Sequence, residues 1–299
     1  MRPDVVALLR CPHCAGRLRV DDGALRCGAG HAFDIARQGY VNLLPGSART
    51  HTADTAGMVA ARAAFLAAGH FEPLVAAVAD VATADSDRWQ GRGRGAGSEP
   101  ADADADSGAG EPVVDVGAGT GHYLAAVLDR LEDSVGLALD LSKYAARRAT
   151  RAHPRIGAAV CDIWRPLPVR SGVAGLVLNV FAPRNGPELA RILRPDGTLV
   201  VVMPTVEHLR EVVTPLGLLS VDADKEDRLA ASLGDRFTVR SRHAVEATMP
   251  LRHEDLRQLA AMGPSAWHIE PEALGAAIDA LPEPVEVTLA VSVSVHQLR

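Results

Sequence analysis

Three of the four cysteines of the chain lie within one short stretch, CPHCAGRLRVDDGALRCGAGH, which covers residues 11–31. Cys11 and Cys14 form a CxxC pair, twelve residues separate this pair from Cys27, and His31 follows four positions later. Three thiolates and one imidazole complete the tetrahedral shell of Zn²⁺ and leave no open position, which is typical of a structural site. The spacing therefore predicts a small N-terminal module whose fold depends on one zinc ion.

Two other interpretations of these thiols stay open at this point. A redox CxxC pair would begin a helix directly after a strand, and reduced cysteines without any metal are the simplest alternative. His13, inside the CxxC pair, is a second candidate imidazole, although the spacing of His31 fits the second ligand pair better. Cys161 lies far along the chain in AVCDIW, where we expect a buried strand residue.

A glycine-rich loop is the second stretch with chemical potential. In VVDVGAGTGHY, residues 113–123, glycines stand at 117, 119 and 121, between a predicted strand and a predicted helix. Such a loop lets a ligand approach the backbone closely, but dinucleotide-binding folds have one too. The spacing here is GxGxG, and Asp115 stands two residues before the first glycine, where its charge would repel a pyrophosphate. A cationic sulfonium cofactor that carries an amino-acid moiety suits this loop better.

Two further acids follow the next two predicted strands. Asp140 ends LALD, where a carboxylate can accept hydrogen bonds from both hydroxyls of an adenosine ribose. Asp162 follows the next strand in VCDIW and could meet the adenine amino group. Acids after three successive strands are typical of class I methyltransferases that use S-adenosylmethionine. The alternative is that these acids are surface caps.

The fourth predicted strand ends in NVFAPRN, residues 179–185, at the edge of the sheet that would face the transferred methyl group. This segment lacks the polar-Pro-Pro-aromatic tetrapeptide found in many enzymes that methylate exocyclic amines of nucleobases. Candidates for the lining of a base pocket are Asn179, Phe181, Arg184 and Asn185. The alternative is a loop that only connects a strand to a helix.

The elements that must position these residues follow an alternating pattern. Strand-like and helical segments alternate from residue 112 to residue 204, and two long alternating segments near the C-terminus read as strands at one edge. This order predicts an α/β fold with a mostly parallel, seven-stranded, Rossmann-like sheet beside the zinc module. The predicted domains are a zinc-binding module at 1–50, a helical connector at 51–84, a flexible linker at 85–111 and a methyltransferase domain at 112–299.

Composition and charge exclude several classes of protein. Hydrophobic residues make up 47% of the 299 residues, enough for a sizeable core. No apolar run reaches the roughly 18 residues of a membrane span, and no signal peptide is apparent, so we expect a cytoplasmic protein without a membrane partner. The net charge is −6, but residues 1–50 hold seven Arg against four Asp, a local balance of +3.

Taken together, the chain resembles the 23S ribosomal RNA guanine-N1 methyltransferases of the RlmA/TlrB type. The stretches that carry the resemblance are the module up to ARQGYVNLLP, MVAARAAFLAAGHFEPL, DVGAGTGHY, LDLSKYAARRA, VFAPRN, PTVEHLREVV and MGPSAWH. The resemblance covers nearly all of the chain except the acidic linker at 85–111. It implies an N-terminal zinc module that recognises RNA, with the same four zinc ligands that the spacing predicts.

The resemblance also implies a cofactor, a substrate and contact residues. It implies S-adenosylmethionine contacts at Phe71, Gly119, Thr120 and His208, and Phe71 stands where some members have Tyr. One branch of the family methylates guanine 745 and another guanine 748 of the same hairpin loop in domain II of 23S rRNA. The APRN loop and the Ala/Arg-rich composition look closer to the 748 branch, which includes macrolide-resistance enzymes. A homodimer is possible.

The substrate side of the site is the least defined by the sequence. A flipped guanine could stack on Phe181 or Trp267, and its N1 proton could go to His208, to Asp162 or to a water near Asn179. Two other functions stay open, a methyltransferase of small molecules with a purely structural zinc module and a non-catalytic RNA-binding adaptor. If the module binds RNA, the expected phosphate contacts are Arg10, Arg17, Arg19, Arg26 and Arg37.

Overall fold

The computed structural model describes residues 1–46, 48, 50–84, 110–220 and 231–299. The strands in this part of the chain are β1 Leu18–Asp21, β2 Ala24–Cys27, β3 Ala32–Asp34, β4 Tyr40–Asn42, β5 Val113–Val116, β6 Gly136–Asp140, β7 Ile156–Val160, β8 Ala174–Val180, β9 Leu193–Pro204, β10 Phe237–Leu251 and β11 Val285–Leu298. The α-helices are α1 Pro3–Val6, α2 Ala56–Ala67, α3 Glu72–Ala84, α4 His122–Arg130, α5 Lys143–Ala149, α6 Gly186–Ile192, α7 Arg210–Val213, α8 His253–Met262 and α9 Pro271–Asp279.

One large sheet organises the molecule. Its eight strands follow the order β10-β11-β9-β8-β5-β6-β7-β4, parallel from β9 to β4 and antiparallel at β11 and β10. Strands β5, β7 and β8 are buried along their whole length because helices cover both faces of the sheet. The seven strands that the sequence predicts are all present. The eighth, β4, comes from the predicted zinc module and pairs with β7, with Tyr40 opposite Ala158.

The strand order creates a crevice at the centre of the sheet. The chain passes from β5 to β6 and β7 on one side, and then returns to place β8 on the other side of β5. In open α/β sheets a ligand binds at such a reversal, outside the carboxyl ends of the strands. This edge is where the glycine loop, Asp140 and Asp162 emerge.

The N-terminal module is docked on the sheet rather than suspended from it. Leu9 forms a β-bridge with Val169, and the backbone N–H of Arg10 donates to the carbonyl of Pro168 at 3.0 Å. A Cβ atom at Gly157 in β7 would lie 2.7 Å from a methyl group of Val5, so a glycine there lets α1 approach the strand closely. The apolar side chains of the module continue directly into one of the two core layers of the sheet.

Two predictions about organisation fall partly outside the described residues. Of the predicted linker at 85–111, only the last two residues are described. Both are anchored: the N–H of Gly110 donates to the carbonyl of Asp133 at 2.7 Å, and Glu111 pairs with Arg194. The bounds of the four predicted domains stay predictions.

Within the described ranges, no helix taken alone has the length and apolar character needed to span a membrane. The consecutive helices α2 and α3 meet that criterion only as a pair, and they are bent by 85° relative to each other.

Candidate active site and zinc centre

The four predicted zinc ligands lie together. The ligand atoms of Cys11, Cys14, Cys27 and His31 are all within 4.8 Å of one another. The Sγ atoms of Cys14 and Cys27 are 3.6 Å apart, and Nδ1 of His31 lies 3.3 Å from Sγ of Cys27. Ligands at zinc–sulfur and zinc–nitrogen bond lengths in a tetrahedron are about 3.5–3.8 Å apart. The four side chains therefore fit a closed, structural Zn²⁺ site.

Local turns bring the ligands together. Asp22 and Gly23, with φ of 45° and 76°, form the two-residue turn that joins β1 to β2 and returns Cys27 to the CxxC pair. At the second ligand pair, the N–H of Cys27 donates to the carbonyl of His31 at 3.1 Å. His13 lies outside the ligand group, and its ring stacks on Phe33 with centroids 5.8 Å apart. The preference for His31 over His13 thus agrees with the geometry.

The arginines of the module do not share one environment. Arg17, Arg19, Arg26 and Arg37 are exposed. Arg10, in contrast, donates from Nε to the carbonyl of Leu167 at 3.1 Å and lies 3.8 Å from a carboxylate oxygen of Glu188. Burial lowers the pKa of Arg10, and the nearby Arg191 charge lowers it further. Arg10 therefore joins the module to the sheet, and the expectation that it contacts phosphate does not fit its position.

A cavity of about 650 Å³ opens at the carboxyl edge of β5, β6, β7 and β8. The predicted cofactor residues that line it are Phe71, Asp115, Gly117, Gly119, Thr120, Asp140 and Asp162. Gly121, which is the N-cap residue of α4, belongs to the same loop. Sequence reasoning and structure thus agree on the position of the pocket.

The glycines of the loop are required by close contacts. Gly117 has a φ of 86°, and a Cβ atom there would lie 2.3 Å from Cβ of Ala182. Gly121 has a φ of 76°, and a Cβ atom would lie 3.0 Å from the backbone of Ala149. Because L residues rarely adopt such φ values, both positions favour glycine on two independent grounds. The loop is therefore a tight cradle above β5.

Asp115 lies at the bottom of the pocket with only 1% of its surface exposed. Burial raises its pKa to about 8, and the nearby charge of Asp140 adds to this. Its Oδ1 atom is buried and has no hydrogen-bond partner among the described residues. Burial without a partner keeps this carboxyl group protonated, and a cationic hydrogen-bond donor in the pocket would stabilise its ionised form.

Asp140 and Asp162 are held by backbone N–H groups. The two carboxylate oxygens of Asp140 accept from the N–H groups of Gly119 and Ser142, each at 2.8 Å. Burial raises the pKa of Asp140, and these two hydrogen bonds counteract the rise. Oδ1 of Asp162 accepts from the N–H of Trp164 at 3.0 Å. Both carboxylates are thus fixed in orientation and face the cavity.

Three rings meet beside the pocket. The ring centroids of Phe71, Phe181 and His208 lie 6.0–6.2 Å from one another. Phe181 adopts a φ of 52°, which is uncommon for a residue other than glycine, and keeps 40% of its surface exposed. Nδ1 of His208 accepts from the N–H of Ala290 at 3.3 Å. His208 therefore packs beside the two phenylalanines and is not among the residues that line the cavity.

Comparisons with known proteins agree with this geometry. The family model of the RlmA N-terminal zinc ribbon matches residues 9–50. A 23S rRNA (guanine(748)-N(1))-methyltransferase from Streptomyces fradiae is 50% identical over 295 residues, 99% of this chain and 98% of that protein. A protein from Micromonospora griseorubida, named provisionally as a 23S rRNA (guanine-N(1)-)-methyltransferase, is 52% identical over 97% of both chains.

The chain belongs to the 23S rRNA (guanine-N1) methyltransferase family. A more distant relative from Bacillus subtilis, with the same provisional name, is 27% identical over 87% of each chain. The predicted family, enzyme class and fold class are therefore confirmed. S-adenosylmethionine fits the residues that are present, because its ammonium group would give Asp115 the missing donor and the glycine cradle leaves space beside Asp140.

Three predicted substrate residues of this methyltransferase do not reach the cavity. Asn179 is buried in β8 and donates from Nδ2 to the carbonyls of Val116 and Pro183, both at 3.0 Å. Asn185 caps α6 and donates to the carbonyl of Ile163 at 3.0 Å. Arg184 is half-buried, burial lowers its pKa, and it is not part of the cavity lining. We assign Asn179 and Asn185 to the positioning of the loop, and only Phe181 of the four candidates faces the pocket.

Sequence reasoning missed several residues of the methyltransferase site. Arg62, Asp54 and Trp164 all line the cavity. The signal for Arg62 was a lone charge in the Ala-rich segment MVAARAAFLA, and the signal for Trp164 was a tryptophan two residues after the third acid. Neither signal is specific without the fold, because both elements must first be brought to one edge of the sheet.

Proposed function

We propose that this protein transfers the methyl group of S-adenosylmethionine to N1 of a guanine in the domain II hairpin loop of 23S rRNA. The observation that carries the proposal is one cavity lined by ordered acids and exposed aromatic rings, in a sheet on which an arginine-bearing zinc module is docked. The 748 position is favoured because the Streptomyces fradiae relative, 50% identical over 99% of this chain, is named for it.

The mouth of the cavity suits an unstacked nucleobase. Trp164, Trp267 and Phe181 line it with 66%, 47% and 40% of their surfaces exposed. Exposed apolar rings that cluster at one cavity are typical of a binding surface, and specific RNA recognition stacks splayed bases on such rings. These three residues would receive the target guanine and its neighbours.

The zinc module contacts a segment that lies close to Trp164 along the chain. The segment of residues 167–170, which pairs with the module, begins three residues after Trp164. On the module, Arg19 lies directly opposite Arg26 across the β1–β2 hairpin, and both are exposed. Arg26 also pairs with Asp21 at 3.0 Å. Two exposed arginines on one hairpin would contact the phosphates of an RNA strand favourably.

The chemistry requires alignment and removal of one proton. S-adenosylmethionine supplies a methyl group on a positively charged sulfur, and the protein must hold the guanine in line with it. Guanine N1 carries a proton at neutral pH, so a group within hydrogen-bond reach must accept it. Because Nδ1 of His208 accepts from Ala290, the neutral ring carries its proton on Nε2, which disfavours His208 as this base. Asp162 is the better of the two side-chain candidates because its carboxylate lines the cavity.

The test uses purified protein, labelled S-adenosylmethionine and a transcript of the domain II hairpin. We expect incorporation into this RNA and none into a matched transcript in which the target guanine is replaced by adenine. Incorporation into a pool of small metabolites in place of RNA would contradict the proposal. Macrolide resistance in a susceptible host, action in the cytoplasm and a homodimer in light scattering are further parts of the proposal that separate assays can check.

A further inference from the structure

Acidic side chains outnumber basic ones in the lining of the cavity, and the proposed function does not explain the role of the basic one. Four carboxylates line it, those of Asp54, Asp115, Asp140 and Asp162, and Arg62 is the one basic side chain among its described lining residues. The acids suit the cationic and hydrogen-bond-donating parts of S-adenosylmethionine. The cofactor also has one carboxylate, and a carboxylate in this pocket needs a cation.

Arg62 lies directly over the glycine loop. The position that a Cβ atom would take at Gly119 is 3.2 Å from Nη1 of Arg62. The N–H of Gly119 donates to Asp140 on the other side of the same residue. Arg62 thus lies against the same glycine loop that begins two residues after Asp115, the residue that favours an ammonium group.

The guanidinium is oriented by two fixed partners. Nη1 of Arg62 pairs with a carboxylate oxygen of Asp54 at 2.5 Å, and Nη2 donates to the carbonyl of Met262 at 2.6 Å. The Asp54 carbonyl accepts from Oγ of Ser142 at 2.7 Å, and the N–H of Ser142 donates to Asp140. The contacts of Arg62 are therefore linked to the predicted ribose carboxylate through one hydrogen-bonded chain.

We infer that Arg62 binds the α-carboxylate of the methionine part of S-adenosylmethionine. This inference rests on the proposed function, because it assumes that the cavity holds this cofactor. The α-carboxylate and the α-ammonium group share one carbon atom, so a site that binds the ammonium at Asp115 must meet the carboxylate nearby. A planar guanidinium is the side chain that pairs best with a carboxylate. Only 25% of the Arg62 side chain is exposed, which does not suit a phosphate contact on a surface.

The test compares two ligands by calorimetry on the zinc-loaded protein without RNA. The ligands are S-adenosylmethionine and decarboxylated S-adenosylmethionine, which keeps the sulfonium and the amine. Loss of one charged hydrogen-bonding partner costs about 10- to 100-fold in affinity. We therefore expect Arg62→Met to weaken S-adenosylmethionine by that factor. Decarboxylated S-adenosylmethionine should bind to Arg62→Met with the same affinity as to the wild type or with a higher one. The reason is that this variant lacks the arginine charge that repels the positively charged ligand.

Two further variants control for damage to the fold. Arg62→Lys keeps the positive charge but loses the planar guanidinium that can donate two parallel hydrogen bonds to a carboxylate. Its affinity for S-adenosylmethionine should therefore lie between those of the wild type and Arg62→Met. Arg257→Met removes an exposed arginine from α8 that pairs with Asp279, and both ligands should bind to it as to the wild type. Equal weakening of both ligands by Arg62→Met, or no weakening of S-adenosylmethionine, would overturn the inference alone. Wild-type protein that binds neither ligand would overturn the proposed function together with it.

Discussion

Replacement of Asp115 by Asn is expected to stabilise the protein and abolish cofactor binding. Asp115 is 1% exposed, and its pKa is raised from 3.8 to about 8. Between these two values the unfolded chain has an ionised Asp115 and the folded chain a protonated one, so the folded state binds more protons. Stability therefore falls as the pH rises through this window. Asn is neutral in both states and removes this dependence.

The size of the effect follows from the same shift. One proton of difference corresponds to about 1.4 kcal/mol per pH unit, so the stability gained by Asp115→Asn should grow by about 2 kcal/mol between pH 6 and pH 7.5. Urea unfolding of wild type and variant at these two pH values measures this difference, with zinc present throughout. Calorimetry on the same samples should use S-adenosylhomocysteine, the product that remains after methyl transfer. The variant should no longer bind it, because the amide of Asn cannot neutralise the ammonium group of this ligand.

Either of two results would refute the reasoning. A stability difference that is the same at pH 6 and pH 7.5 would show that Asp115 does not titrate in this window. Unchanged affinity of Asp115→Asn for S-adenosylhomocysteine would show that the buried carboxylate does not meet the cofactor. The matched control is Asp133→Asn, since this carboxylate is exposed, lies in the turn after α4 and is not part of the cavity lining.

Three other predictions concern the ribose carboxylate, the zinc centre and the RNA surface. Asp140→Ala should weaken S-adenosylhomocysteine at least about tenfold, since charged hydrogen bonds to the ribose are lost; unchanged affinity in calorimetry would refute that role. Metal analysis should find about one zinc ion per chain and a loss of it in Cys27→Ser; a zinc-free wild type purified without chelator would contradict the site. Arg19→Glu with Arg26→Glu should weaken binding of the RNA hairpin and flatten its salt dependence, with cofactor affinity unchanged. A salt slope equal to that of the wild type would count against this surface.

The sequence was sufficient for features that depend on local spacing. The zinc ligands follow from a CxxC pair, a DG turn and a second ligand pair, all within residues 11–31, so no long-range information is needed. The order of acids after strands likewise predicts where Asp115, Asp140 and Asp162 meet, because parallel strands end at one edge of a sheet. Both arrangements are present in the structure.

The features that the sequence missed depend on distant contacts. Strand β4 has three residues, and its pairing with β7 cannot be read from so short a segment. Arg10 looked like its exposed neighbours on the module, and only the docking against residues 167–170 shows that it points inward. Asn179 and Asn185 were reasonable pocket residues by position along the loop. Their amide groups instead bond to backbone carbonyls that only the fold brings close.

Primer extension on a domain II hairpin transcript tests the central claim most directly. Methylation at N1 blocks the Watson–Crick edge of guanine, so reverse transcriptase should stop beside the modified base. After incubation with the protein and S-adenosylmethionine, the account predicts one new stop at guanine 748, absent when the cofactor is omitted. A stop at guanine 745 would contradict the assignment to the 748 branch. A transcript that shows no new stop at any guanine would contradict the proposed activity itself.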